Sequence, residues 1–319
     1  MRKKLFTISF ALTAFVICMS AEILNHIQIG DVCYNLDTEN MTAEVTSSNS
    51  GYYWQTTIDI PASVEYNDLT FNVTSIGDSA FYYCQNLERI HFSEGLLSIG
   101  NSAFRKCEKL RSVTFPESLL TIGGFAFHTC SYFGSIEIPN NVTSIGEYAF
   151  AWCQHVRYAI IGDGVITIER YAFEHCVEMI SATIGKNIKT IGDCAFWHCE
   201  KLNSITLPST LTYIGTQGFF YCKQLCPFSC LAVTPPTLGN EVFSGVEKRS
   251  LEVPSESVTA YKSAYQWKDF NIDEIYIDDE ANENIQYERD EQTIKVIHNG
   301  QVLIKQRGKT YTTNGIEIK

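Results

Sequence analysis

The chain has 319 residues, a formal net charge of −12 and an apolar share of 45%. That length can bury a substantial core, and the acidic balance excludes nucleic acid or an anionic membrane surface as the main partner. Much of the negative excess falls late, at 273–291.

In chain order, the first feature is an address. Arg2, Lys3 and Lys4 precede an apolar run at 5–17, with small residues at Cys18, Ser20 and Ala21. This is the layout of a secretory signal peptide over 1–21, too short for a transmembrane helix. No later segment is long and apolar enough to span a bilayer. The expectation is a secreted or cell-surface protein.

Residues 22–72 read as an N-terminal cap. "HIQIGDVCYNL" and "TAEVTS" suggest a hairpin, and "IDIPASV" at 58–64 suggests a strand joined by a polar loop to "FNVTSIG". A repeat fills 73–231. An isoleucine recurs every 23 residues at Ile76, Ile99, Ile122, Ile145, Ile168, Ile191 and Ile214. Phenylalanine follows in register at Phe81, Phe104, Phe127, Phe150, Phe173, Phe196 and Phe219. So does cysteine, at Cys84, Cys107, Cys130, Cys153, Cys176, Cys199 and Cys222. Fixed periods of this length mean a solenoid, in which each unit buries its apolar faces only by stacking on its neighbours.

Within each unit the pairs Ile90 and Phe92, Val113 and Phe115, Ile136 and Ile138, and Ile205 and Leu207 alternate with polar residues, as in a strand with one face buried. Proline follows at Pro116, Pro139 and Pro208 and ends it. The glycine after the motif isoleucine suits a tight bend, although Glu169 replaces it in the fifth copy, so the bend does not require φ > 0. At 232–270 "LGNEVFSGV" and "LEVP" echo the repeat without its cysteine. "SESVTAYKSAYQW" places Val258, Tyr261 and Tyr265 on one helical face that closes the end with Trp267 and Phe270. Residues 271–291 read as an acidic linker, and the tail to 319 as short strands split by Asn-Gly and Arg-Gly turns.

The pattern L-x-x-I-x-F/I-P followed by V-x-x-I-G-x-x-A-F-x-x-C, as in "LNSITLPSTLTYIGTQGFFYC" at 202–222, resembles the bacterial BspA-type leucine-rich repeat over about residues 58–253. The resemblance implies an α/β solenoid: a right-handed ramp with a parallel sheet on its concave face, mostly strands and turns with short helical segments. It also implies a surface or secreted protein of a family several of whose members are linked to adhesion or host-protein binding.

Chemistry is weighed against packing. Stacked cysteines would lie about 4.8 Å apart with parallel side chains, whereas a disulfide needs Cβ atoms turned toward each other at about 3.5–4.5 Å. The column therefore reads as buried free thiols. Cys33, Cys194, Cys226 and Cys230 fall outside it, and a local disulfide near the C-terminal cap stays open. His175 and His198 are 23 apart and should stack, but no further ligand shares their column. There is no C-x-x-C, G-x-S-x-G, H-E-x-x-H, P-loop or G-x-G-x-x-G. The expectation is no catalytic residue, no metal and no cofactor.

Two rows of surface residues remain. Outward positions of the sheet include Arg89, His91, Arg111, Glu137, Arg157, Tyr158, Ile160 and Ile180. An aromatic and aliphatic centre with a polar rim suits a protein ligand. A second row precedes the cysteines and includes Tyr82, Tyr83, His128, Trp152, His175, Trp197, His198, Phe220 and Tyr221. These are either half-buried flanks or a strip fit for stacking on sugars. The leading expectation is a monomer binding an extracellular or host protein, with glycan binding or a purely structural envelope role as alternatives.

Overall fold

The computed structural model describes residues 22–277, 294–298, 301–306, 309–312 and 317–318. The signal-peptide reading at 1–21 and residues 278–291 of the acidic segment lie outside them.

Each step of 23 residues lays down a strand of three or four residues, a two-residue strand and a run of turns. The longer strands, such as Ser135–Ile138, Tyr158–Ile161, Ser181–Thr183 and Ser204–Leu207, pair in parallel with their copies one coil away. The two-residue strands do likewise, so Ile76 pairs with Ile99, Ile99 with Ile122 and Ile122 with Ile145. The alternation seen in sequence is the reason for the first sheet: Ile136, Ala159, Ala182 and Ile205 point inward and are at most 4% exposed.

The motif glycine has a different reason from the bend first inferred. At Gly146 a Cβ would lie 2.4 Å from the backbone nitrogen of Gly124, and at Gly192 it would lie 2.7 Å from that of Arg170. The coils approach too closely there for a side chain. Glu169 is the exception, and the short-strand sheet stops at it. Ser144–Ile145 ends one sheet and Thr167–Ile168 begins another, at the coil where Glu169 replaces the glycine whose N–H elsewhere donates to the isoleucine of the preceding coil, as Gly146 does to Ile122.

The side opposite the longer strands is built from turns. Alternate N–H groups of each turn run donate to the next coil: Ser79 to Asn101, Phe81 to Ala103 and Tyr83 to Arg105, at 2.7–2.9 Å. The residue before each column cysteine is left-handed, with φ from +54° to +64° at Tyr83, Lys106, Thr129, Trp152, His175, His198 and Tyr221. Bulky residues rarely adopt that conformation, and these inter-coil hydrogen bonds hold them in it.

Two columns fill the interior. Phe81, Phe104, Phe127, Phe150, Phe173, Phe196 and Phe219 stack ring on ring at 4.9–5.5 Å, all within 8° of parallel. Beside them the thiols of Cys107, Cys130, Cys153, Cys176, Cys199 and Cys222 each donate to the carbonyl of the phenylalanine 26 residues earlier, at 3.0–3.4 Å. Burial pushes the Cys153 thiol up to about 12 and holds Cys130, Cys176 and Cys199 well above the usual range. All eleven described cysteines are free, Cys226 and Cys230 near the C-terminal end included.

Both ends are covered, and here the structure departs from the sequence reading. The expected N-terminal hairpin is an antiparallel three-stranded unit, Ile23–Ile29, Val32–Asp37 and Thr42–Thr46. The expected polar loop is a second hairpin, Ser63–Tyr66 with Leu69–Ile76. Thr57–Ile60 does lie parallel to Arg89–Phe92, as a degenerate first coil. At the other end the helix Val258–Ser263 stops before Tyr265, which is 64% exposed rather than part of the apolar face. Tyr261 is fully buried and donates to the carbonyl of Ala232, while the indole of Trp267 donates to Pro236. Asn271–Ile277, read as acidic linker, is a strand parallel to Ser250–Pro254. Its acids Asp273 and Glu274 are flanked by Ile272 and Ile275, and Ile275 is buried. The tail strands pair in antiparallel order across the Asn-Gly and Arg-Gly positions.

Candidate binding surfaces

The outer face of the longer strands is the first surface. Register places Tyr158 between Ser135 and Ser181, and Ile160 between Glu137 and Thr183. Tyr158 is 47% exposed and Ile160 44%, two large side chains on a face otherwise made of serine, threonine and scattered charge. Arg157 lies over the Tyr158 ring at 5.7 Å. Arg89, His91 and Glu137 are exposed on the same face, and Arg111, exposed just before its strand, pairs with Glu88 at 3.6 Å. Arg111, Arg157 and Ile180 share the column just before the strands: the N–H of Ile180 donates to the carbonyl of Arg157, and Ile180 is half-buried where the two arginines are exposed. The face closes toward the C-terminal end, where Ser229 and Glu252 occupy outward register positions yet are 4% and 5% exposed.

The second surface lies on the turns. Trp152, His175, His198 and Tyr221 form one continuous column with ring centroids 4.1, 4.9 and 4.7 Å apart. Trp197 meets His175 and His198 edge-on. A further column, Phe125, Tyr148 and Tyr171, stacks at 4.5–4.6 Å and was not singled out in the sequence. Its 23-residue spacing was the available signal. In both columns the inner rings are stacked on both faces and each end ring on one, so few ring faces are left free. A strip that grips sugars needs free faces. Burial lowers His175, with His198 adding to the effect, and lowers His128 to about 4, with Arg105 contributing.

Charged pairs run along the turn edge: Lys201 with Glu178 at 2.7 Å, and Glu200 shared by Lys223 and His198. Among the described residues no group of three or more histidine, cysteine or acidic side chains converges as a metal site. Also among them, no helix is long and apolar enough to cross a membrane.

A parallel solenoid with one open sheet face and a repeating isoleucine, phenylalanine and cysteine interior defines the class, a leucine-rich-repeat protein. The profile of the BspA type leucine-rich repeat region matches residues 59–180 and 145–271 with six copies, and the chain belongs to that family. Its fold is similar to that of a leucine-rich repeat protein from Bacteroides ovatus, at 23% identity over 78% of this chain and 76% of that one, TM-score 0.51. It is similar also to the T. pallidum leucine-rich repeat protein, at 21% identity over 76% and 97%, TM-score 0.52. No curated protein sequence matches the chain.

Proposed function

We propose that this is an exported, surface-associated recognition protein that binds a protein ligand through the open sheet face, centred on Tyr158 and Ile160. One observation carries the reading: two large apolar side chains stand nearly half exposed on a regular sheet whose other outward positions are small, polar or charged. An apolar centre ringed by hydrogen-bonding groups is the usual anatomy of a protein interface. The basic start and apolar run of residues 2–17 support export, and the family supports a binding role. The protein is expected to act as a monomer.

The test is an array of extracellular-matrix and surface proteins probed with residues 22–319 and with the Tyr158→Ala, Ile160→Ser double variant. The reading expects at least one ligand bound by the parent chain and lost by the variant. A ligand held equally well by both would remove the sheet centre from the account.

A further inference from the structure

Gly134, like Gly124, is a glycine for which neither a positive φ nor a close backbone contact gives a reason, and of the two it has the more room. The motif glycines are forced by backbone of the preceding coil 2.4–2.9 Å from a would-be Cβ, and Gly30, Gly51, Gly95 and Gly245 have φ between +61° and +106°. Gly134 has neither constraint. Its φ is ordinary, and a Cβ there would approach nothing closer than the carbonyl oxygen of Arg111 at 3.8 Å. A glycine at an unstrained position loses backbone entropy on folding that alanine would not. The bare position is therefore unfavourable for stability and gains nothing in packing.

What the missing side chain leaves is a notch between two arginines. The N–H of Gly134 donates to the carbonyl of Arg111 at 3.0 Å, and the N–H of Arg157 donates to that of Gly134 at 2.9 Å, so the three occupy one column. At about 4.8 Å per rung the two arginines stand about 10 Å apart across the glycine. Both are exposed, and Arg157 has no carboxylate within ion-pair distance among the described residues. Exposed Tyr158, with Arg157 over its ring at 5.7 Å, lies beside this column. The longer-strand sheet is also interrupted here, between Ser112–Thr114 and Ser135–Ile138.

We infer that this notch receives a carboxylate side chain of the protein ligand, held between Arg111 and Arg157 while its flanking residues lie on Tyr158. The inference rests on the proposed sheet-face binding and names the ligand's chemistry, an acidic, tyrosine-compatible segment. Guanidinium groups are suited to carboxylates, and two of them around a side-chain-free floor select an acidic group on a protein that is otherwise strongly negative.

The experiment uses residues 22–319 and a fluorescently labelled glutamate–tyrosine copolymer as probe, with heparin as the sulfated competitor. The parent chain is expected to bind the copolymer, more weakly as salt rises. Gly134→Leu, whose Cβ has room, and Arg157→Ala are each expected to weaken binding about tenfold or more with unchanged melting temperature. Arg170→Ala, on the turn side, should leave binding unchanged. No copolymer binding, affinity untouched by Gly134→Leu, or a preference for heparin at equal charge would each overturn the inference. If an array ligand depends on Tyr158 and Ile160 but not on Gly134 and Arg157, the notch fails and the sheet-face reading survives. If no ligand depends on Tyr158 and Ile160, the reading beneath it fails.

Discussion

The turn side and the sheet side both expose aromatic residues, and they do so for opposite reasons. On the turns, Trp152, His175 and His198 each lie on the ring one coil further on, ending at Tyr221, so their partial exposure is the rim of a packed column. On the sheet, Tyr158 has serine on both neighbouring rungs and Ile160 has Glu137 and Thr183. Neither is needed by the rung above or below. In a repeat protein, an exposed ring with ring neighbours belongs to the scaffold, and one without them is free to bind.

That contrast can be broken most severely in the interior that both sides share. Phe150 is fully buried between Phe127 and Phe173, and Phe150→Ala is expected to destabilise by about 3–5 kcal/mol in denaturant unfolding. A loss below 1 kcal/mol would mean that the stacked column is not a packed core. Gly146→Ala should cost roughly 1–3 kcal/mol, because its Cβ meets backbone. Gly134→Ala should stay within about 0.5 kcal/mol of the parent. On the turn column, His175→Ala removes stacks on Trp152 and His198 and should cost about 1 kcal/mol.

Titration sharpens the picture at both ends of the pH scale. Burial raises Cys153 to about 12 and Cys230 to about 11, so below the unfolded thiol range their contribution is fully present. As pH rises from about 9 toward 12 the unfolded chain ionises first, and stability should fall. His128 is lowered to about 4, so its contribution is present above the ordinary histidine value and is lost as pH falls from about 6.5 toward 4. Unfolding midpoints measured across pH 4–11 should trace a plateau with a decline at each side. A midpoint that rises above pH 9 would contradict the buried protonated thiols.

The interior was legible in the sequence because period and packing coincide: a residue repeated every 23 positions must stack on its own copy. Features that break the period or involve only backbone were not. Two left-handed positions per coil carry no glycine to signal them, since hydrogen bonds between coils hold bulky residues there. The substitution at Glu169 was visible, but that it marks the end of a sheet depends on how closely the coils approach. The strand at Asn271–Ile277 was hidden by the adjacent pair Asp273 and Glu274, which breaks the apolar alternation between Ile272 and Ile275. On the surface, sequence located the outward positions of the sheet. It could not separate a stacked aromatic from an isolated one, nor show that Gly134 has no steric excuse.

The most direct test of the account pairs two variants of residues 22–319, Tyr158→Ala with Ile160→Ser, and Trp152→Ala with His175→Ala. Each is measured for melting temperature and for binding to an array-identified ligand. The account predicts that the sheet variant loses binding and keeps its melting temperature, and that the turn variant loses melting temperature and keeps binding. The reverse pattern would contradict it.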